Sequence, residues 1–304
     1  MQFKRLIDAI KNGKSYTDGA LSEYFDSIAV GLEKFRITKY EGEFDDEVIR
    51  NIEQFIPLRN ELLEVFNCLC QYRNTAETHK LLHRFFEKTI SYYERPEGVN
   101  NWKGWDFDNY KFVIHELFLY CIGIMLKNEC FNAVSYMVNN RFYVAKYAEY
   151  GKETMHDFSI FREYIESLES RNNRLGLNRL SLHSDLLKQR NVALIITFDQ
   201  LMQADFVLYI RDCMESIKRK GYQNWFPVTL LYKIHSDSLF EIFARSESKK
   251  YFEKIKLMFE IEQKEEFTII LDAYKNNKID RPRWQHRSIN SSILLNFELL
   301  CTIP

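Results

Sequence analysis

Leu, Ile, Phe and Tyr recur three and four residues apart along most of this 304-residue chain, the period of helices with one buried face. Asp45-Asp46 precede Glu47-Val48-Ile49 and open a helix that ends near Phe55. Pro57, tolerated in a first turn but not in a helix interior, opens the next over 57–72. Asn74 and Glu77 have capping-box spacing for a helix carrying Leu81, Leu82, Phe85, Phe86 and Ile90, which Arg95-Pro96-Glu97-Gly98 closes. Residues 99–107, with Trp102 and Trp105, read as non-helical. Asp106 or Asp108 then caps a long apolar helix over 110–127, and Asn128-Glu129 turns the chain into a shorter antiparallel helix over 131–138. Such a pair is an αα-hairpin.

Beyond it, 141–152 reads as a tyrosine-rich loop, and Phe158, Phe161, Ile165 and Leu168 form a helical stripe. The β-branched run 192–198 has the length of one short strand. Thr197 and Gln200 again match a capping box, for a helix holding Leu201, Met202, Phe206, Leu208, Tyr209 and Met214. Lys218-Arg219-Lys220-Gly221 ends it with cations and a glycine. Trp225-Phe226-Pro227 starts another helix, Phe240, Phe243, Phe252, Ile255, Met258 and Phe259 make two more stripes, and Arg281-Pro282-Arg283 is a loop before a last helix near 293–300. The expected fold is therefore all-α or predominantly α, built from packed helical hairpins. The expected division is a helical body over 1–220, with a break near 95–107, and a smaller helical lobe over 221–304. No repeat of fixed period supports a consensus solenoid.

Composition agrees with few turns: 10 Gly and 5 Pro in the whole chain, which also leaves little of the loop chemistry that usually carries catalysis. Aromatic residues make up 15%, including 24 Phe and 18 Tyr, enough for large cores. A net charge of −1, from 42 basic and 43 acidic residues, argues against a general coat for nucleic acid or acidic membranes but leaves room for a local basic patch. The six cysteines form no Cys-x-x-Cys pair and sit mostly in apolar stretches, which fits free thiols and a cytoplasmic location. The N-terminal Met-Gln-Phe-Lys-Arg carries no apolar leader. The apolar run over 112–126 contains His115 and Glu116, so a buried core helix is expected there and no membrane partner.

Chemistry concentrates in 171–190, RNNRLGLNRLSLHSDLLKQR, with Arg171, Arg174, Arg179, His183, Lys188 and Arg190 against the single acid Asp185. Guanidinium groups hold phosphate bidentately, and Arg179 and His183 share a helix face. The competing reading is a salt-bridged face, since Glu163, Glu166 and Glu169 lie close in sequence. Trp102 and Trp105 either stack on a base or clamp a partner, or fold back over the core. Asp205 stands among apolar residues and needs a cation or donor, with Arg179 or Arg190 the expected partner. His79, His83 and Glu87 share a helix face below Cys68 and Cys70, but they lack the His-Glu-x-x-His pattern, and no metal and no cofactor are expected. Phosphate-loop, dinucleotide-binding and nucleophile-elbow motifs are absent from the chain.

Two resemblances add to this. Arg171-Asn172 resembles the start of the motif of HEPN ribonucleases, helical proteins in which an Arg, often Arg-Asn, is followed within a few residues by His. Asn178 stands where the family has that His. Arg179 and His183 are one residue too close, and Pro282 puts the pair Arg281 and His286 in a loop. The resemblance implies a divergent ribonuclease using Arg171, Arg174, Arg179 and His183.

The second resemblance spans most of the chain. The phrases Phe107-Asp108-Asn109-Tyr110-Lys111-Phe112, Arg179-Leu-Ser-Leu-His183-Ser-Asp185-Leu-Leu-Lys188, Gln203-Ala-Asp205-Phe-Val-Leu and Phe240-Glu-Ile-Phe-Ala-Arg245-x-x-Ser248 together resemble an uncharacterised helical module of bacterial conflict and anti-phage proteins that can accompany a TIR-type effector domain. It implies a sensing, scaffolding or oligomerising role, with the effector elsewhere. The leading expectation is thus a non-enzymatic interaction module. It meets a protein partner, or RNA or another phosphate ligand, through Arg174, Arg179, His183, Lys188 and Arg190 and the Trp102/Trp105 loop, with oligomerisation open. The alternative is the ribonuclease.

Overall fold

The computed structural model describes residues 2–149, 151–192, 195–234, 236 and 238–304. The protein is predominantly α-helical. The first half runs α1 (Gln2–Lys11), α2 (Thr17–Gly31), α3 (Phe44–Gln54), α4 (Ile56–Tyr72), α5 (Ala76–Ile90), α6 (Asp108–Lys127), α7 (Phe131–Asn139) and the single turn α8 (Ala145–Ala148). The second runs α9 (Glu166–Arg174), α10 (Leu182–Arg190), α11 (Phe198–Arg219), α12 (Glu241–Arg245), α13 (Lys249–Phe259), α14 (Thr268–Lys275) and α15 (Ser291–Leu294). Two antiparallel ribbons, β1 (Phe142–Tyr143) with β2 (Met155–His156) and β3 (Arg283–Trp284) with β4 (Arg287–Ser288), are the named strands among the described residues.

α6 is the axis of the fold. From Asp108 to Leu126 only Lys111 escapes burial, as expected of a helix apolar on all sides. Gly104–Lys127 is long and apolar enough to cross a membrane, yet 94% of its most apolar window is buried inside the protein. α3, α4, α7 and α11 pack around it. Gly123 allows the close approach of α11, since a Cβ there would lie 2.6 Å from Ile196 Cδ1 and 3.6 Å from the Gln200 carbonyl. The apolar core is continuous through residues on both sides of Gly221, and α13 packs on α7.

Local details differ from expectation for local reasons. No strand forms at 192 or 195–198, which bend into the first turn of α11, while residues 193 and 194 lie outside the described residues. The run instead seats Ile196 against α6, and the Thr197–Gln200 capping box is formed. Thr75, not Asn74, caps α5, accepting from Thr78 N, and Asn74 bonds His79 instead. Asp106 caps a 3₁₀ turn over Gly104–Phe107, and Asp108 lies inside α6. The stripe from Phe158 is a 3₁₀ turn over Phe158–Phe161, and Val228–Lys233 is another. Lys220 rather than Gly221 takes the left-handed conformation that ends α11.

Candidate functional site: a cationic cleft beside a buried histidine pair

The polar residues of α6 decide where chemistry collects. Asp108 accepts from Ser167 N and Oγ and so ties down the start of α9. Glu116 accepts from Arg59 and Arg190, each at 2.8 Å, joining α4 and α10. His115 Nδ1 lies 2.9 Å from His183 Nε2. Three buried polar anchors thus hold α9 and α10 on one side of α6.

The loop between α9 and α10 follows from its own residues. Gly176 and Asn178 take positive φ, at positions where glycine and asparagine cost least. Asn172 then reaches across the loop: its Oδ1 accepts from Arg179 N and its Nδ2 donates to Arg179 O. Ser181 caps α10, placing His183 in the first turn. The Asn172 that resembles part of a catalytic motif therefore pins a loop.

The loop forms one wall of a cleft of about 520 Å³. Arg162, Tyr164 and Ile165 come from the segment ahead of α9, and Arg179, Leu180 and His183 from the loop and α10. The segment Asn224 to Val228 closes another side, and Arg283, Trp284 and Gln285 of the β3–β4 ribbon cover the end. Gln285 has φ 57° at the ribbon's tip, and Trp284 packs edge-on to Phe226, centroids 5.1 Å apart.

Arg162 is the unusual group. Its Nε donates to Phe226 O at 2.9 Å and its Nη1 to Glu163 O at 2.6 Å, both neutral carbonyls. Among the described residues no carboxylate comes within ion-pair distance of it, and Asp205 and Glu163 act on it only from farther away. Burial pulls its pKa down to about 10, so it remains a cation at neutral pH whose charge no described residue in contact neutralises. The side chain is half-buried at the cleft wall, and a partly desolvated cation gains when an anion joins it.

The histidines feel the same environment. Burial first, and then the Arg162 charge, hold His183 well below its ordinary pKa; His115 is lowered by burial and by His183 and Arg162. Both are neutral at pH 7. The unfolded chain takes up these protons below about pH 6.5; the folded protein refuses them, so stability from the neutral pair is present above that pH and is lost as pH falls. The advantage of wild type over His115→Phe in urea unfolding is expected to shrink below pH 6.5, at up to ~1.4 kcal/mol per pH unit. A gap independent of pH would show that the pair does not stay neutral.

Of the residues singled out in 171–190, only Arg179 and His183 line this cleft. Arg171 and Arg174 both pair with Asp45 and Asp46 at the start of α3, with Arg174 Nη2 2.7 Å from Asp45 Oδ2; the acids are supplied by α3 rather than by Glu163, Glu166 or Glu169. Arg179 forks onto Asp185, whose carboxylate also accepts from Tyr232 OH. Lys188 lies 3.8 Å over the Tyr232 ring. Arg190 is buried against Glu116 and Glu53. Trp102 is 41% exposed and leans on Phe107, and Trp105 lies under Lys103; neither reaches the cleft. Asp205 finds donors rather than the expected Arg179 or Arg190: Trp225 Nε1, Thr229 N and Thr229 Oγ1, all at 2.7–2.8 Å. His79 bonds Asn74, and His83 stacks on Phe142. Among the described residues no three His, Cys, Asp or Glu side chains are placed to hold a metal.

Sequence reasoning missed Arg162 and the β3–β4 ribbon. Arg162 sits in Phe161-Arg162-Glu163, where an adjacent acid suggests a pair that the fold does not make. No family model matches the chain, and no curated protein or solved structure matches it.

Proposed function

We propose that this chain is a non-enzymatic recognition module that binds an anionic, phosphate-bearing ligand in the cleft between α9–α10 and the β3–β4 ribbon. The carrying observation is Arg162, a cation whose partners among the described residues are carbonyls, at a cleft that Arg179 and Arg283 also line. An arriving phosphate supplies the missing countercharge and accepts bidentate hydrogen bonds. The resemblance to helical modules of bacterial conflict systems supports a sensing role in anti-phage defence, with the effector on another domain or chain.

The second reading is the ribonuclease. What favours it is that Arg179 and His183 share the cleft wall; against it, burial and the Arg162 charge make that imidazole a weak base. Arg171 and Arg174 are spent on Asp45 and Asp46, so a ribonuclease here would rest on Arg162, Arg179 and His183.

One experiment addresses both: labelled total RNA incubated with the protein across a salt series, following binding and cleavage together. Binding without cleavage, weakening as salt rises and weaker still in Arg283→Ala, is the expected result. Cleavage lost in His183→Gln establishes the ribonuclease. Gln is preferred to Ala because His183 is buried against His115, and truncation there lowers stability as well as chemistry. No retention of RNA or of inorganic phosphate counts against both readings.

A further inference from the structure

The cleft holds more than charge. Tyr164 and Phe226 line it with exposed rings, 64% and 37% accessible, although large aromatic side chains are usually covered. Trp284, also in the lining, packs edge-on against Phe226. Trp284 itself is 4% exposed, and its indole N–H has no hydrogen-bond partner among the described residues, so this wall carries an unused buried donor as well as a cation with no described carboxylate in contact. Among the described residues Glu169 is the one carboxylate in the lining, an acceptor suited to amino or hydroxyl groups. A volume of about 520 Å³ falls within the range of sites for small molecules rather than of grooves for long chains.

We infer that the ligand is a free nucleoside monophosphate: its phosphate meets Arg162 and Arg283, and its base lies on the Phe226 ring with Tyr164 beside it. This rests on the reading of the cleft as an anion site and goes further by assigning the rest of the molecule. Stacking on a ring is tolerant of which base is present, so the structure assigns the class and not the base. The phosphate alone forfeits the stacking, and the nucleoside alone forfeits the guanidinium contacts.

The test is isothermal titration of the full chain with the four ribonucleoside 5′-monophosphates, their nucleosides, inorganic phosphate and a single-stranded oligoribonucleotide. At least one monophosphate is expected to bind ten times or more tightly than its nucleoside and than phosphate. Arg283→Ala, a change at an exposed residue, and Arg162→Lys are each expected to weaken that binding about tenfold with an unaltered circular dichroism spectrum. Phe226→Ala is expected to lower monophosphate affinity while leaving phosphate affinity unchanged. Tighter binding of the oligoribonucleotide than of every monophosphate overturns the inference and leaves the anion site standing. So does phosphate binding as tightly as the nucleotides. Monophosphate binding indifferent to Arg162 and Arg283 places the site elsewhere and overturns it. Absence of binding by any anion overturns both the inference and the reading beneath it.

Discussion

Glu116→Ala is expected to cost ~3–5 kcal/mol, a large share of the ~5–15 kcal/mol that holds an ordinary domain together. Glu116 is fully buried at the middle of α6 and is the shared acceptor for Arg59 Nη1, Arg190 Nε and Arg190 Nη2. Arg59 and Arg190 are themselves almost wholly covered. Their remaining bonds go mainly to neutral groups, the Asn60 side chain and the carbonyls of Arg190 and Ile52. Removing the carboxylate leaves two guanidiniums in the core with one edge contact to Glu53 between them. Glu116→Gln keeps two polar atoms but no charge, and should fall between wild type and Ala. Arg174→Ala removes an exposed side chain and leaves Arg171 beside Asp45 and Asp46, so it should cost far less. Urea midpoints for the three variants decide the matter: a Glu116→Ala midpoint near that of Arg174→Ala would show that the buried triad anchors nothing.

The second large effect is expected at Asp205. Its two oxygens accept from Trp225 Nε1, Thr229 N and Thr229 Oγ1, and Asp205→Ala strands three buried donors at ~1–3 kcal/mol each, less the cost of burying the charge that is also removed. A net loss of about 3 kcal/mol follows from those terms. The same change should weaken ligand binding in the cleft, because these contacts fix the segment whose Phe226 carbonyl receives Arg162 Nε. The pH dependence has a definite sign. Burial pushes the Asp205 carboxyl up to about 6, more strongly than its Thr229 and Trp225 donors pull it down. Between about pH 3.9, where the unfolded group titrates, and about pH 6 the native state keeps a proton that the unfolded chain has released. Stability from this group therefore falls as pH rises through that window. The advantage of wild type over Asp205→Asn should shrink from pH 4 to pH 7. Asp212, also pushed up to about 6, titrates in both proteins and cancels. An advantage that grows with pH would mean that the donors outweigh burial.

The helical class, the αα-hairpin of α6 and α7 and the capping box of α11 were legible in the chain because each depends on neighbours a few residues apart. The identity of α6 as a core helix was legible as well, since an apolar run with His115 and Glu116 inside it has no solvent-facing side. Short-range rules failed at the ends of elements. Phe158 to Leu168 has helical spacing but closes only a 3₁₀ turn before α9, and the strand-like run near 192–198 is used to seat Ile196 against Gly123.

Charge was legible only as an inventory. Segment 171–190 is basic in sequence, but the fold sends Arg171 and Arg174 to Asp45 and Asp46 more than a hundred residues away, Arg190 to Glu116, and Arg179 to Asp185. Arg162, beside Glu163 in the chain, receives no carboxylate from the described residues and points instead to carbonyls at the cleft. Periodicity and capping are properties of consecutive residues, so the chain by itself determined the helices and the central place of α6. Electrostatic pairing depends on which distant side chains share a few ångströms. Only tertiary packing could decide which cations are satisfied, and that His183 and Arg162, an arginine with no described carboxylate in contact, meet at a cleft covered by the β3–β4 ribbon.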